Sequence, residues 1–203
     1  MNQVPYSQSC ENNKSAILAV LIHSFSDVSQ VLEIGSGTGQ HAVYFAKQLP
    51  QLIWQTSDQL AYHNGINAWL AKQPSDNLRA PIELDVTQPW PVNKLENDTL
   101  EGIFTANTLH IMSKSMVEDF FRGLGKHLAI KGQFCVYGPF NYGGEYTSAS
   151  NRQFDKWLFE QNPQSAIRDI EWITALAAAQ GLTLVTDHPM PANNRLLHFE
   201  KRD

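Results

Sequence analysis

Ile17, Leu18, Val20, Leu21 and Ile22 follow a polar lead-in, and their spacing places most of them on one face of a helix. The short apolar run 31–34 ends in Gly35-Ser36-Gly37-Thr38-Gly39, after which Ala42, Val43, Phe45, Ala46 and Leu49 resume helical spacing, a strand–tight turn–helix signature. The β-branched and aromatic stretch 52–56 predicts a second strand, 62–72 a second helix that ends near Pro74, and 81–86 a third strand. Pro89 and Pro91 then break the chain. Residues 102–107 predict a fourth strand, 116–128 a helix closed by a turn at Lys131-Gly132, and 133–137 a fifth strand.

Strands alternating with helices imply βαβ units, whose right-handed crossovers build a parallel sheet covered on both faces. The expected fold class is therefore α/β, doubly wound. The last third differs. A glycine- and tyrosine-rich loop over 138–146 leads to helices around 151–160 and 169–180, and then to strand-like runs at 182–186 and 195–200. Pro189, Pro191 and Asn193-Asn194 between those runs predict a hairpin or short antiparallel return that inserts 195–200 into the sheet.

A chain of 203 residues suits one domain, here 1–203 with an N-terminal helical extension over about 1–28. Fifteen Lys+Arg against 20 Asp+Glu give a net charge of -5 without a basic stripe, which argues against a nucleic-acid partner. Cys10 and Cys135 have neither disulfide-framework nor metal-ligand spacing, and the seven histidines are scattered, so no metal site is expected and a cytoplasmic location is. The polar start, Met1 to Cys10, lacks a basic region followed by an apolar one, and no run approaches the ~20 apolar residues of a membrane span. Neither export nor a membrane partner is expected.

The glycine cluster sits where residues without a Cβ let the main chain approach a ligand at a helix start. A dinucleotide fingerprint G-x-G-x-x-G requires its third glycine at position 40, but that residue is Gln40 and the third glycine is Gly39. Glu33, two residues before Gly35, disfavours an anionic pyrophosphate and favours the sulfonium and ammonium of S-adenosylmethionine (SAM). Asp58, at the end of the second strand and followed by Gln59, is placed to accept both ribose hydroxyls. Asp85, at the end of the third strand, is placed to accept from the adenine amine, with Val86 as apolar cover. Turn or cap roles explain either aspartate alone, but three sites in register form a stronger signal than one.

Val-Leu-Glu-Ile-Gly-Ser-Gly-Thr-Gly at 31–39, with Asp58 and Asp85 downstream, resembles the class I SAM-dependent methyltransferases over 31–137. Glu11-Asn12-Asn13-Lys14, Gly39-Gln40-His41, the stretch 150–158, Ile167-Arg168-Asp169 and 190–194 are similar to the uncharacterised family that includes methyltransferase-like protein 26 (domain of unknown function 938). The chain departs from that pattern at Asn12, where the family has arginine. The resemblance implies a seven-stranded sheet with an antiparallel last strand, SAM as methyl donor, and a donor site of Glu33, Gly35, Ser36, Gly37, Thr38, Gly39, His41, Asp58, Gln59, Asp85, Val86 and Asn107. It also marks Asn13, Lys14, Arg152 and Asn194 as acceptor candidates.

In open α/β sheets the crevice lies beyond the carboxyl ends of the strands, which brings Asn107 to His110 and Gly138 to Tyr146 to the donor. His110 is the candidate general base, its ordinary pKa near 6.5 suiting a hydroxyl or amine acceptor. Asn107 and Tyr142 are further catalytic candidates, and Tyr146 lies on a Gly143-Gly144 loop able to close over an acceptor. Packing or surface roles remain open for each. The leading expectation is methyl transfer to a small molecule, since positioning and desolvation can drive the reaction without a strong acid or base. The alternatives are a non-catalytic SAM-binding regulatory or scaffold protein and an NAD(P)-dependent oxidoreductase.

Overall fold

The computed structural model describes residues 4–96 and 99–203; the first three residues of the expected N-terminal extension lie outside the described residues. Helix α1 (Gln8–Ser24) precedes β1 (Gln30–Ile34), α2 (Gln40–Gln48), β2 (Ile53–Asp58), α3 (His63–Lys72), β3 (Leu78–Glu83), β4 (Leu100–Ala106), α4 (Lys114–His127) and β5 (Leu128–Gly138). Then follow β6 (Phe140–Asn141), α5 (Ala149–Gln161), β7 (Arg168–Asp169), α6 (Ile170–Ala178), β8 (Leu182–Met190) and β9 (Asn194–Lys201). The seven-stranded sheet runs β3-β2-β1-β4-β5-β9-β8, with β9 antiparallel to both neighbours and the other pairings parallel. This is the doubly wound, mostly parallel sheet with an antiparallel last strand that the sequence predicts.

Successive strand residues point to opposite faces, and the two faces build two cores. Val31, Phe104, Cys135 and Leu196 join Ile17 and Leu21 of α1 and Ala42 and Phe45 of α2. Leu32, Ile103, Phe134 and Leu197 join Phe120, Phe121 and Leu124 of α4 and Ile173 of α6. Strand β1 is buried along its whole length, which explains its uninterrupted apolar run. Serine side chains cap three helices: Ser7 on α1, Ser113 on α4 and Ser148 on α5 each accept from a backbone N–H of the first turn.

Several boundaries differ from expectation. Strand β3 ends at Glu83, so Asp85 and Val86 stand in the loop after it. There Asp85 Oδ1 accepts from the Thr87 amide (2.9 Å) and hydroxyl (2.8 Å), a side-chain turn that competes with the ladder. No turn at Lys131-Gly132 closes α4. The chain passes straight from His127 into β5, with Lys131 at φ 68 inside the strand. The loop over 138–146 contains β6, which pairs in parallel with β7 as a separate small sheet. The last hairpin turns through Pro191–Asn193, where Ala192 (φ 56) and Asn193 (φ 57) take left-handed backbone.

Candidate functional site

A cavity of about 810 Å³ opens at the carboxyl ends of β1 to β5, across the point where the chain order reverses between β1 and β4. The turn after β1 forms its floor. Gly37 has φ +56, and a Cβ built there meets nothing within 4 Å because it points into open space. Gly39 has φ +87, and a Cβ there would stand 3.0 Å from the Cα of Ile66, so its bareness lets α2 and α3 approach. A Cβ on Gly35 would meet Thr108 Cγ2 at 2.6 Å. The Thr105 hydroxyl fixes that neighbour, bonding the Ile34 carbonyl (2.7 Å) and the Thr108 hydroxyl (2.6 Å).

The turn's amides face β2 rather than the cavity. Gly35 and Ser36 N–H both donate to the Ser57 carbonyl (3.0 Å each), and Gly37 N–H donates to Asp58 Oδ2 at 2.7 Å. Asp58 Oδ1 accepts from the Gln59 amide, also at 2.7 Å. Burial raises the Asp58 pKa, against these two donors. Each oxygen keeps acceptor capacity, and Asp58 and Gln59 both line the cavity. Asp85 lines it too, with no protein donor on Oδ2 among the described residues, beside Leu84 and Val86. Asn107 stands at the exit of β4 with φ 60, a left-handed conformation uncommon for a residue with a side chain.

Glu33 is buried behind the turn and does not line the cavity. Its Oε2 accepts from the Ser36 hydroxyl and Trp54 Nε1, both at 3.0 Å. Burial pushes its pKa up to about 7 in spite of those donors. The carboxylate expected beside a cationic ligand thus stands behind the turn, where it braces Ser36 and Trp54 and does not line the cavity.

The opposite wall comes from α1, α5 and the last hairpin: Cys10, Asn13, Asn151, Phe154 and Asn194 line it. His41 Nε2 meets Asn13 Oδ1 at 2.7 Å, and its ring stacks on Phe45. Burial lowers the His41 pKa to about 4. His110 also lines the cavity. It is 6% exposed, with its ring edge-on to Phe154 and neither ring nitrogen bonded to a described residue. Burial, reinforced by the charge of Arg168, brings its pKa to about 4, so the imidazole is neutral at neutral pH. The Arg168 guanidinium is itself buried and donates to the carbonyls of Leu109, Met112 and Gln164, clamping the turn that carries His110.

Six candidates lie outside the cavity: Glu33, Gly39, whose bare Cα packs on α3, and four side chains each diverted by a partner distant in sequence or a turn away. Tyr142 donates to Asp187 Oδ2 (2.7 Å) beside Arg195, and Tyr146 to Asp155 Oδ2 (2.7 Å). Arg152 lies over the Tyr146 ring. Lys14 pairs with Glu11 and lies over Tyr44. Conversely, Cys10, Tyr62, Met112 and Met116 line the cavity without having been singled out from sequence, and Thr108, Asn151 and Phe154 line it having been named only within longer stretches. Thr108 and Met112 had a signal, as they flank His110 in the strand exit; the others depend on tertiary packing. No group of three or more His, Cys, Asp or Glu among the described residues could hold a metal, and none of their helices is long and apolar enough to cross a membrane.

The family described as a protein of unknown function (DUF938) matches residues 4–201. Among solved structures, the chain is similar to the SAM-dependent methyltransferase SibL in its apo form (TM-score 0.78, 18% identity, covering 96% of this chain and 56% of that one). It is similar to an O-methyltransferase family protein from Burkholderia thailandensis (0.78, 13%, 94% and 56%). It is also similar to the O-methyltransferase NcsB1 of neocarzinostatin biosynthesis, in complex with SAM and 2-hydroxy-5-methyl naphthoic acid (0.75, 15%, 94% and 54%). The chain spans a little over half the length of these proteins, and at these identities the likeness establishes the shared fold.

Proposed function

We propose that this chain, which belongs to the DUF938 family, binds SAM along the β1–β4 side of the cavity and methylates a small molecule held against α1, α5 and the last hairpin. The observation that carries the reading is the order of groups around one opening: bare Gly37, then Asp58, Asp85 and Asn107 at successive strand exits. These residues fit the donor. Asp58 retains lone pairs for ribose hydroxyls, Asp85 Oδ2 suits an exocyclic amine, and Leu84 and Val86 offer apolar cover to a purine. SAM bound there supplies an electrophilic methyl on a sulfonium, and the bonding pair stays on sulfur when the methyl leaves.

Glu33 acts through the turn as a positioning residue, holding the Ser36 hydroxyl, which in turn accepts from the Ser57 amide (3.2 Å). His110 is the group that takes the proton an acceptor hydroxyl releases. It is neutral and unpartnered, and an alkylated hydroxyl is acidic enough that even a weak base relieves it. The SibL relationship supports SAM-dependent methyl transfer and the NcsB1 relationship a small-molecule O-methyltransferase, and two free thiols, Cys10 and Cys135, fit a reducing cytoplasm. Calorimetry with SAM and S-adenosylhomocysteine tests the donor site, and absence of binding by both overturns it. Tritiated methyl transfer into the small-molecule fraction of an extract tests catalysis, whereas binding without transfer leaves a non-catalytic SAM-binding protein.

A further inference from the structure

The acceptor side of the cavity carries no ion of either sign. Among the described residues no lysine or arginine lines any part of the opening, and the two carboxylates that do, Asp58 and Asp85, stand on the donor side. Cations near the cavity are engaged elsewhere: Lys14 with Glu11, Lys114 over Trp172, Arg152 over Tyr146, Arg168 on three backbone carbonyls, Arg195 with Asp187. The nearby carboxylate, Asp155, is likewise taken, by the Tyr146 hydroxyl and the Ile167 amide (2.6 Å). His41 and His110 are held neutral by burial.

Two further observations point to what fits. His110 is a buried side chain lining the cavity, and neither ring nitrogen hydrogen-bonds a described residue, which leaves the imidazole free to bond a molecule in the cavity. Phe154 stands edge-on to it with ring centroids 5.3 Å apart, and Met112, Met116 and Ile111, the last 58% exposed, are further apolar lining of the same cavity. A carboxylate or phosphate seated here would leave its charge desolvated and unpaired, and so would an ammonium. A neutral apolar body bearing a hydroxyl meets neither cost, and thioether sulfur favours aromatic partners.

We propose that the acceptor is an uncharged molecule whose hydroxyl hydrogen-bonds the His110 imidazole while its apolar body lies among Phe154, Met112 and Met116. This rests on the reading that SAM occupies the donor side.

The test titrates the whole protein with 2-naphthol and with 2-naphthoate at neutral pH, each with and without saturating S-adenosylhomocysteine, whose own binding is measured first. Naphthol is expected to bind at least ~10-fold more tightly than naphthoate. His110→Phe is expected to weaken naphthol about 10-fold. Ile111→Arg, which adds a cation at the mouth, is expected to strengthen naphthoate about 10-fold. Naphthoate binding as tightly as naphthol, or neither binding, overturns the proposal. Failure of S-adenosylhomocysteine to bind overturns the donor-site reading instead, and the titrations made without it still decide the charge preference.

Discussion

The backbone N–H of Gly37 donates to Asp58 Oδ2 at 2.7 Å, tying the turn after β1 to the end of β2. One carboxylate therefore shapes the floor of the cavity and faces its interior. Asp58→Ala removes both functions. It is expected to weaken S-adenosylhomocysteine binding by about 1.5–3 kcal/mol, the range for hydrogen bonds to a charged group, roughly 10- to 150-fold. Calorimetry checks this, and an unchanged affinity would remove Asp58 from the donor site.

Gly37 and Gly39 separate binding from folding. Gly39→Ala combines left-handed backbone strain with contact against the Ile66 Cα, whereas Gly37→Ala bears the strain alone, since its Cβ enters open space. Strain costs about 1–2 kcal/mol and overpacking about 1–3 more, with each kcal/mol worth roughly 2–4 °C of Tm in a domain of this size. Gly39→Ala should lose more Tm, and Gly37→Ala more affinity for S-adenosylhomocysteine. The reverse ranking in a melting and binding comparison would mean the turn has been misassigned.

Glu33 gives stability a pH dependence of unusual sign. Its folded pKa, about 7, lies above the ordinary 4.5, so between those values the unfolded chain releases a proton that the folded one keeps. Stability falls as pH rises through that window, by an amount on the order of 3 kcal/mol at 1.36 kcal/mol per unit. Glu33→Gln cannot titrate. Urea unfolding at about pH 5 and 8 should show the wild type losing more stability than the variant across the interval, and parallel losses would contradict the assignment.

His110 runs the other way. Its folded pKa, about 4, lies below the ordinary 6.5, so its contribution is full above 6.5 and is lost as pH falls toward 4. Its ring resonances should titrate near pH 4. With an acceptor in hand, His110→Gln should cut the transfer rate by no more than about 10²-fold, the low end for a general base, since the ring's pKa lies well below the operating pH, with S-adenosylhomocysteine affinity preserved. A ring titrating near its ordinary value would show that the imidazole is solvated.

Arg168 holds the carbonyls of Leu109, Met112 and Gln164. Arg168→Met strands those acceptors at about 1–3 kcal/mol for each buried group left unpaired, and frees the His110 turn. Lower stability together with a higher His110 pKa in NMR titration is expected; a stability loss without the pKa change would confine Arg168 to a structural part.

The succession of strands and helices was legible because β1 and the buried stretches of β4 and β5 read as apolar runs ended by turn residues, and Asp58 ends β2 as expected. Asp85 lies in the loop after β3 rather than at its end, since its own side-chain turn ends the strand early, a competition that hydrophobic pattern does not reveal. Glu33 looked like a ligand group because position in a motif says nothing of burial. Tyr142, Tyr146 and Arg152 went astray for a related reason: their partners, Asp187, Asp155 and Tyr146, are fixed by how α5 and β8 meet the loop after β5. The apolar acceptor wall was likewise invisible, since Phe154 on α5 reaches His110 only through tertiary packing.

Strand β9 pairs with β5 on one side and β8 on the other, and the hairpin before it supplies part of the cavity wall. During synthesis, the ribosome must therefore complete the sequence through β9 before β5 ceases to be an open edge. Until then a nascent chain with most of its sheet assembled still offers a bare strand to any neighbour. Chaperone capture of this protein should concentrate on chains arrested between α5 and β9.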